Sequence, residues 1–107
     1  MTLQLGLFVT GQTSNSLRAM ENLRRIVQQE LNIPCEIDII DVLEHPQIAE
    51  DEKIVATPTL VKRHPGPVRK IIGDLSDTRK VLLGLGILQN SSTVQLGKEE
   101  GTRNERG

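Results

Sequence analysis

The side chains that most often perform catalysis are sparse in this sequence. Cys35 is the single cysteine, and the two histidines, His45 and His64, stand nineteen positions apart. One cysteine excludes an internal disulfide and any zinc site built from several cysteines. Neither histidine has an acidic or cysteine neighbour at a recognised ligand spacing such as HExxH. The sequence therefore predicts no metal site, no cofactor and an inert Cys35 that points inward from a strand.

Serine side chains could supply a nucleophile, but their surroundings favour another role. Ser14 and Ser16 precede a stretch of helical periodicity, and Ser76 precedes a second one. Hydroxyls at such positions commonly cap helices, and no GxSxG motif surrounds any of the three. Gly84 and Gly86 do not belong to a GxxxxGK[ST] phosphate loop either. The sequence thus predicts no active site, and we expect the protein not to be an enzyme.

The composition indicates one small folded domain. The chain has 107 residues, of which 36% are hydrophobic and 25% are charged, as in a globular protein. Thirteen basic and fourteen acidic residues give a net charge of −1, whereas nucleic-acid binding usually needs a basic excess. Phe8 is the single aromatic residue, which excludes platforms for base stacking. No apolar run approaches the ~20 residues that span a membrane, and no basic segment precedes the first apolar one. We therefore expect a cytoplasmic protein that binds neither nucleic acid nor membranes.

Hydrophobic periodicity predicts seven elements. Alternation from Leu3 to Thr10 indicates a strand, and apolar residues at helical spacing from Leu17 to Leu31 indicate an amphipathic helix of about four turns. The elements that follow are a central strand (35–42), a short acidic helix from His45-Pro46, a β-prone stretch (54–61), a turn (62–67), a short strand (68–72) and a last helix (78–88). Periodicity ends near Gln89. We predict a folded domain over residues 1–88 and a disordered tail over residues 89–107.

The predicted order, βαβαββα, is that of an α/β thioredoxin-like fold. Its first strand–helix–strand unit implies a parallel pair with a right-handed crossover, and the later hairpin and helix extend the same sheet. Pro58 agrees with this fold, which places a proline, usually after a cis bond, just before its third strand. The redox motif of such a fold begins the first helix, where this chain has Thr13-Ser14-Asn15-Ser16. These side chains cannot form a thiolate or a mixed disulfide.

One basic stretch stands out in a chain of near-zero net charge. Residues 56–70 contain three prolines and four basic residues, Lys62, Arg63, Arg69 and Lys70. Local basic charge suits an acidic surface on a protein partner. A solvated basic loop is the alternative that composition alone favours.

Four blocks of the sequence resemble the KaiB family of circadian-clock proteins. They are residues 9–19 (VTGQTSNSLRA), 40–50 (IDVLEHPQIAE), 53–60 (KIVATPTL) and 67–76 (PVRKIIGDLS). The blocks stand at the family's spacing, and the likeness covers about residues 3–88 without a gap. The last residues of the chain take no part in it.

The resemblance implies a non-enzymatic regulator of the circadian clock. Family members bind as monomers to the N-terminal ATPase ring of the hexameric KaiC. They then recruit or sequester other clock proteins, among which KaiA and KaiB-responsive histidine kinases are candidate partners here. The basic positions through which the family binds the ring fall on Arg18, Lys53, Lys62 and Arg69. We expect charge reversal at Lys62 and Arg69 to weaken ring binding and to leave the fold intact.

The resemblance also implies that one chain adopts two folds and is metamorphic. The free family form is a homo-oligomer, a tetramer or dimer, in which the second half of the chain has a different pairing. The thioredoxin-like monomer is the form that binds the ring. The family's isomerisation-sensitive prolines fall on Pro58, Pro65 and Pro67, and Gly86 lies in the switching region. We expect Gly86→Ala to favour the thioredoxin-like form, because glycine inside the predicted last helix is unfavourable.

The chain departs from the best-known clock members of that family at several positions. Asp38 and Glu21 stand where lysine is usual, Cys35 replaces a tyrosine, Gly66 interrupts a proline-rich run, and Gly86 replaces an acidic residue. Two alternatives therefore stay open. One is a KaiB-like paralogue or adaptor that docks a histidine kinase or a stress-response partner. The other is a thioredoxin-like oxidoreductase, against which the missing CxxC motif argues.

Overall fold

Four strands and three helices occupy residues 2–87, the part of the chain that the computed structural model describes. In chain order they are β1 (Leu3–Val9), α1 (Ser14–Gln29), β2 (Cys35–Asp41), α2 (Pro46–Asp51), β3 (Thr59–His64), β4 (Arg69–Ile72) and α3 (Thr78–Gly84). The strands form one sheet in the order β2-β1-β3-β4. β1 is parallel to β2 and antiparallel to β3, which is antiparallel to β4. The thioredoxin-like order is confirmed, whereas the boundary at residue 88 and the predicted tail lie outside the described residues.

The alternation along β1 divides the core between the two faces of the sheet. The odd-numbered residues of 3–9 pack with α1 and α3 in the larger apolar cluster. Phe8 points to the other face, where it packs with Ala49 of α2. β1 is therefore buried on both faces, as predicted. None of the three helices combines the length and the apolar character that crossing a membrane requires.

The helix caps differ from the predicted ones. Thr13 caps α1, because its Oγ1 accepts a hydrogen bond from the Ser16 amide (3.3 Å). Asp77 caps α3 by accepting from the Lys80 amide (3.2 Å), so neither Ser14, Ser16 nor Ser76 is a cap. Leu17, which was predicted to be in the buried stripe, is 47% exposed, because the buried Ser16 takes the inward position of the first turn.

β2 is an edge strand, although its apolar sequence predicted a central one. It pairs with β1 alone among the described strands, and Ile37 and Ile39 are 36% and 49% exposed. Apolar residues along a strand indicate contact with a covering layer, which α1 provides only in part. They do not tell whether another strand lies alongside.

β3 begins later and runs further than predicted. Pro58 has no amide hydrogen to donate to a ladder, and pairing with β4 starts at Thr59. Residues 54–58 form a loop instead of a strand, whereas residues 62–64 continue β3 instead of turning. The β1–β3 pairing also shifts register between Gln4 and Leu5, as a β-bulge does.

α3 ends at Gly84, before its predicted end at residue 88. The Gly86 amide donates to the Leu83 carbonyl (3.1 Å), and the Ile87 amide donates to the Leu82 carbonyl (3.0 Å). With Leu85 as C-cap and Gly86 at φ +77°, these bonds form a Schellman motif. The prediction that Gly86 lies inside a helix is therefore wrong, because this glycine ends the helix. Leu88 lies outside the described residues.

Candidate partner-binding surface

The position of the redox motif in thioredoxin-like folds is occupied here by a hydrogen-bonded cap. Ser16 is fully buried. Its Oγ accepts from the Thr10 amide (3.1 Å) and from the Thr13 hydroxyl (2.8 Å). These hydroxyls satisfy one another and the backbone at the start of α1. Within residues 2–87, no group of histidine, cysteine and acidic side chains is arranged to hold a metal ion.

Cys35 lies at the other end of β1 from this cap. It pairs in register with Leu3 and packs, partly buried, against the larger apolar cluster, so the predicted inward orientation is confirmed. Burial raises the pKa of the Cys35 thiol. Because the thiolate is the reactive form, this environment makes Cys35 a poor nucleophile at neutral pH.

Three of the four basic residues predicted to contact a partner are exposed. Arg18, in the first half of α1, has 57% of its side chain exposed, and its Nε lies 3.2 Å from Asp74 Oδ2. Lys53 follows α2, and Arg69 begins β4. α1 and α2 cover opposite faces of the sheet. Arg18 and Lys53 therefore belong to segments that pack on opposite faces of the sheet.

Lys62 is the exception, because it is only 5% exposed. It lies inside β3, opposite Leu5 of β1 and Arg69 of β4, and not in the predicted turn. No salt bridge among residues 2–87 involves it. Its role in partner binding stays a prediction. A glutamate at this position would place a carboxylate in the interior, so the fold would not be left intact as expected.

Lys53 stands in an unusual turn that a second lysine supports. Its φ is +57°, a left-handed conformation that residues with a Cβ rarely adopt. Nζ of Lys70 donates to the carbonyl of Glu52 (2.6 Å) and to that of Lys53 (3.3 Å). Lys70 thus ties β4 to the end of α2, and this bond fixes the backbone from which Lys53 projects.

Arg63, singled out in the sequence only as part of the basic stretch 56–70, forms contacts that organise the same region. Its guanidinium lies 2.7 Å from Glu52 and 3.4 Å from Asp38, and 5.9 Å from the centre of the Phe8 ring. A Cβ on Gly6 would approach that guanidinium to 3.0 Å, so a side chain at residue 6 would displace it. The basic stretch 56–70 is therefore largely used inside the molecule. Among its four basic residues, Lys70 is exposed but donates to backbone carbonyls, whereas Arg69 is exposed and makes neither a salt bridge nor a side-chain hydrogen bond within residues 2–87.

An apolar groove separates α1 from the free edge of β2. Its volume is about 340 Å³, and its apolar lining includes Met20, Leu23, Val27, Ile37 and Ile39. Ile37 and Ile39 of β2 stay partly exposed in this groove, because α1 does not cover them completely. A sequence pattern could not reveal it, because it exists only where a helix meets the edge of a sheet.

The prolines that were singled out lie on both sides of β3. Pro58 precedes the strand, whereas Pro65 and Pro67 follow it, and the bond before each is cis. The predicted cis bond before the third strand is therefore present.

Comparison with known proteins identifies the family. The KaiB domain family matches residues 6–87, which include the second half of β1 and all six later elements. The chain belongs to the KaiB family. It is 55% identical over 87 residues to the circadian clock oscillator protein KaiB of Gloeothece citriformis, covering 81% of this chain and 82% of that one. It is 48% identical to the circadian clock protein KaiB3 of Synechocystis sp., covering 89% and 93%. The resemblance seen in the sequence is therefore confirmed.

Solved structures show the same arrangement of elements. The N-terminal domain of Synechococcus elongatus SasA superposes with a TM-score of 0.68 at 30% identity, covering 85% of this chain and 89% of that one. Mitochondrial thioredoxin 3 of Saccharomyces cerevisiae superposes with a TM-score of 0.64 at 23% identity, covering 80% and 78%. The second likeness shows the fold alone. This KaiB-family chain therefore has a thioredoxin-like fold whose helix start carries hydroxyls in place of thiols.

Proposed function

We propose that this chain is a non-catalytic regulator of a circadian clock that binds the N-terminal ATPase ring of a KaiC-type hexamer. The family match over residues 6–87 carries the proposal. The start of α1 supports it, because the redox position is filled by a closed set of hydrogen bonds among Thr10, Thr13 and Ser16. On the ring, the chain would recruit or sequester further clock proteins, such as a KaiA-type protein or a histidine kinase.

Arg18, Lys53 and Arg69 are the proposed contacts to the ring. All three are exposed, and cationic side chains at the rim of an interface mainly raise the association rate in a salt-dependent way. Lys62 contributes indirectly in this proposal, because it supports the strand beside Arg69. The partner surface they require carries acidic groups.

We also propose that the described arrangement is the ring-binding form and that a free homo-oligomer pairs residues beyond β2 differently. α3 has only seven residues, and isolated helices of that length are unstable in water. β4 has four residues and, among the described strands, pairs on one side only, with β3. The second half of the chain therefore depends on tertiary contacts, and a competing set of contacts can replace them.

Size-exclusion chromatography with and without an ATP-hydrolysing KaiC ring tests the proposal. We expect the chain to elute as a homo-oligomer alone and to co-elute with the ring after incubation. Arg69→Glu should slow association, and the difference should shrink at high salt. Arg79→Glu is the matched control, since Arg79 is also exposed but is not a proposed contact. No co-elution under any nucleotide condition would reject ring binding, and equal rates for both variants would remove Arg69 from the interface.

The second candidate function is docking to a histidine kinase as an adaptor. The structural likeness to the N-terminal domain of SasA favours it, because this chain could bind the surface that such an N-terminal domain would otherwise occupy. Pull-down with immobilised chain separates the two candidates, since the adaptor would retain a kinase in the absence of any ring.

A further inference from the structure

One side of α1 is joined by polar contacts to the loop between β4 and α3. Arg18, Asn22 and Arg25 are spaced four and three residues apart, which places them on the same side of the helix. Arg18 also donates to Asn15 within α1, but all long-range partners of the three lie in residues 74–78, more than fifty positions away in the chain. Three consecutive turns of α1 therefore hold one short segment of the second half of the chain.

Asp74 receives most of these contacts. Nε of Arg18 lies 3.2 Å from its carboxylate, and Nδ2 of Asn22 donates to its backbone carbonyl (2.9 Å). The Asp74 carboxylate also accepts from the Ser76 amide (3.0 Å). Both terminal nitrogens of Arg25 lie 3.4 Å from the Thr78 hydroxyl, which makes this contact the weakest of the set.

Leu75 stands between these contacts in a backbone conformation that its side chain disfavours. Its φ is +63°, in the left-handed region that residues other than glycine rarely occupy. Its side chain is nevertheless 4% exposed and belongs to the larger apolar cluster. The bonds of Asp74 to Asn22 and Ser76 hold the chain in this conformation, so that Leu75 is directed into the core.

We propose that Arg18, Asn22 and Asp74 form a latch, here called the α1 latch, that keeps Leu75 and α3 docked on the core. α3 places two residues with Leu75 in that cluster, Val81 from the helix and Leu85 from its cap. When the latch opens, no contact with Asn22 holds the backbone of Asp74, and Leu75 can leave the unfavourable left-handed conformation. α3 then detaches, because an isolated helix of seven residues is unstable in water. The latch therefore sets how often α3 detaches, while the β1–β2 half stays folded.

The α1 latch has a consequence for partner binding that rests on the function proposed above. Arg18 is both a latch residue and a proposed ring contact. A carboxylate of the ring that attracts Arg18 would compete with Asp74 for it. Asn22, which binds only the backbone of Asp74, would keep the loop in place during that exchange.

Amide hydrogen exchange on the monomer, isolated by size-exclusion chromatography and with no partner present, tests the α1 latch. The Val81 and Leu85 amides, which donate to Asp77 and Val81 carbonyls, report detachment of α3. In Asn22→Ala we expect them to exchange faster by up to about tenfold, the effect of one lost hydrogen bond on a local opening equilibrium. The Val42 amide, bonded to the Val9 carbonyl, should be unchanged.

Glu21→Ala is the matched control, because Glu21 is exposed at the neighbouring position of α1 and its replacement by alanine also gains helix propensity, although less than that of Asn22. Arg18→Ala, at an exposed position, should speed the same two α3 amides by a smaller factor. Equal acceleration of Val42 and the α3 amides would show a global loss of stability and overturn the latch. Unchanged exchange in both Asn22→Ala and Arg18→Ala would overturn it as well. Because no ring is present, these results stand apart from any failure of ring binding.

Discussion

Gly86→Ala should destabilise the thioredoxin-like arrangement, the reverse of what the sequence suggested. Gly86 follows the C-cap of α3 at φ +77°. Among residues 2–87, an added Cβ would meet nothing within 4 Å, so against these residues alanine neither clashes nor gains packing. The effect therefore comes from the backbone conformation alone.

The magnitude follows from two opposing contributions. A left-handed conformation is less favourable for an L-residue than for glycine by ~1–2 kcal/mol. Alanine also restricts the unfolded chain, which offsets ~0.4–1 kcal/mol of that loss. The net loss is about 1 kcal/mol, which corresponds to a fall in melting temperature of ~4–8 °C for a domain of this size.

Urea denaturation and thermal melting of the monomer measure this effect. Gly66→Ala is the matched control, because its Cβ would also meet no described residue within 4 Å and its φ lies outside the left-handed region. We expect Gly66→Ala to be neutral or slightly stabilising. Gly86→Asn should lose less stability than Gly86→Ala, since asparagine tolerates the left-handed conformation.

A Gly86→Ala protein as stable as Gly66→Ala, or more stable than the parent, would refute this reasoning. Faster association with a KaiC ring would also contradict it. If the described arrangement binds the ring and is the minor form of the free chain, as proposed above, a loss of about 1 kcal/mol should weaken the apparent affinity by about fivefold.

Three further predictions concern single side chains. Lys62→Glu should lower the free energy of unfolding by at least ~1 kcal/mol, because it buries a carboxylate. Arg69→Glu, at an exposed site, should change the free energy of unfolding by less than ~0.5 kcal/mol. Urea titration measures both variants, and equal losses would contradict this prediction. Cys35→Ala should lower the free energy of unfolding by ~1 kcal/mol or less through reduced packing and should keep partner binding. Maleimide should label the native thiol more slowly than it labels free cysteine, since burial raises the pKa of Cys35. Hydrogen bonding from Ser76, with a contribution from Arg18, lowers the pKa of Asp74 below its ordinary value of 3.8. The ionised Asp74 carboxylate therefore stabilises the fold above that pH, and this stabilisation is lost as the pH falls below it. In Asp74→Asn, the free energy of unfolding should fall less steeply as the pH is lowered. An unchanged pH dependence would show that Asp74 does not contribute to the loss of stability in acid.

The order of elements and the family could be predicted from the sequence, because both are properties of consecutive residues. Alternation along residues 3–9 and helical spacing from residue 17 onward identify β1 and α1. The predicted stretch 54–61 began too early, although Pro58 was expected just before the third strand of a thioredoxin-like fold, where it lies. The absence of a CxxC motif at residues 13–16 could also be seen in the sequence, because the motif consists of consecutive residues.

Burial and helix ends were decided by tertiary structure. The sequence predicts Lys62 in a solvated turn, whereas in the structure the pairing of β3 with β1 and β4 buries it. Gly86 reads as helix interior, and only the bonds from residues 86 and 87 back to α3 show that the helix has ended. The contacts of Arg18 and Asn22 with Asp74 join residues more than fifty positions apart. Local patterns carry no information on such contacts, because the free energy that orders these residues comes from neighbours that only the folded chain brings together.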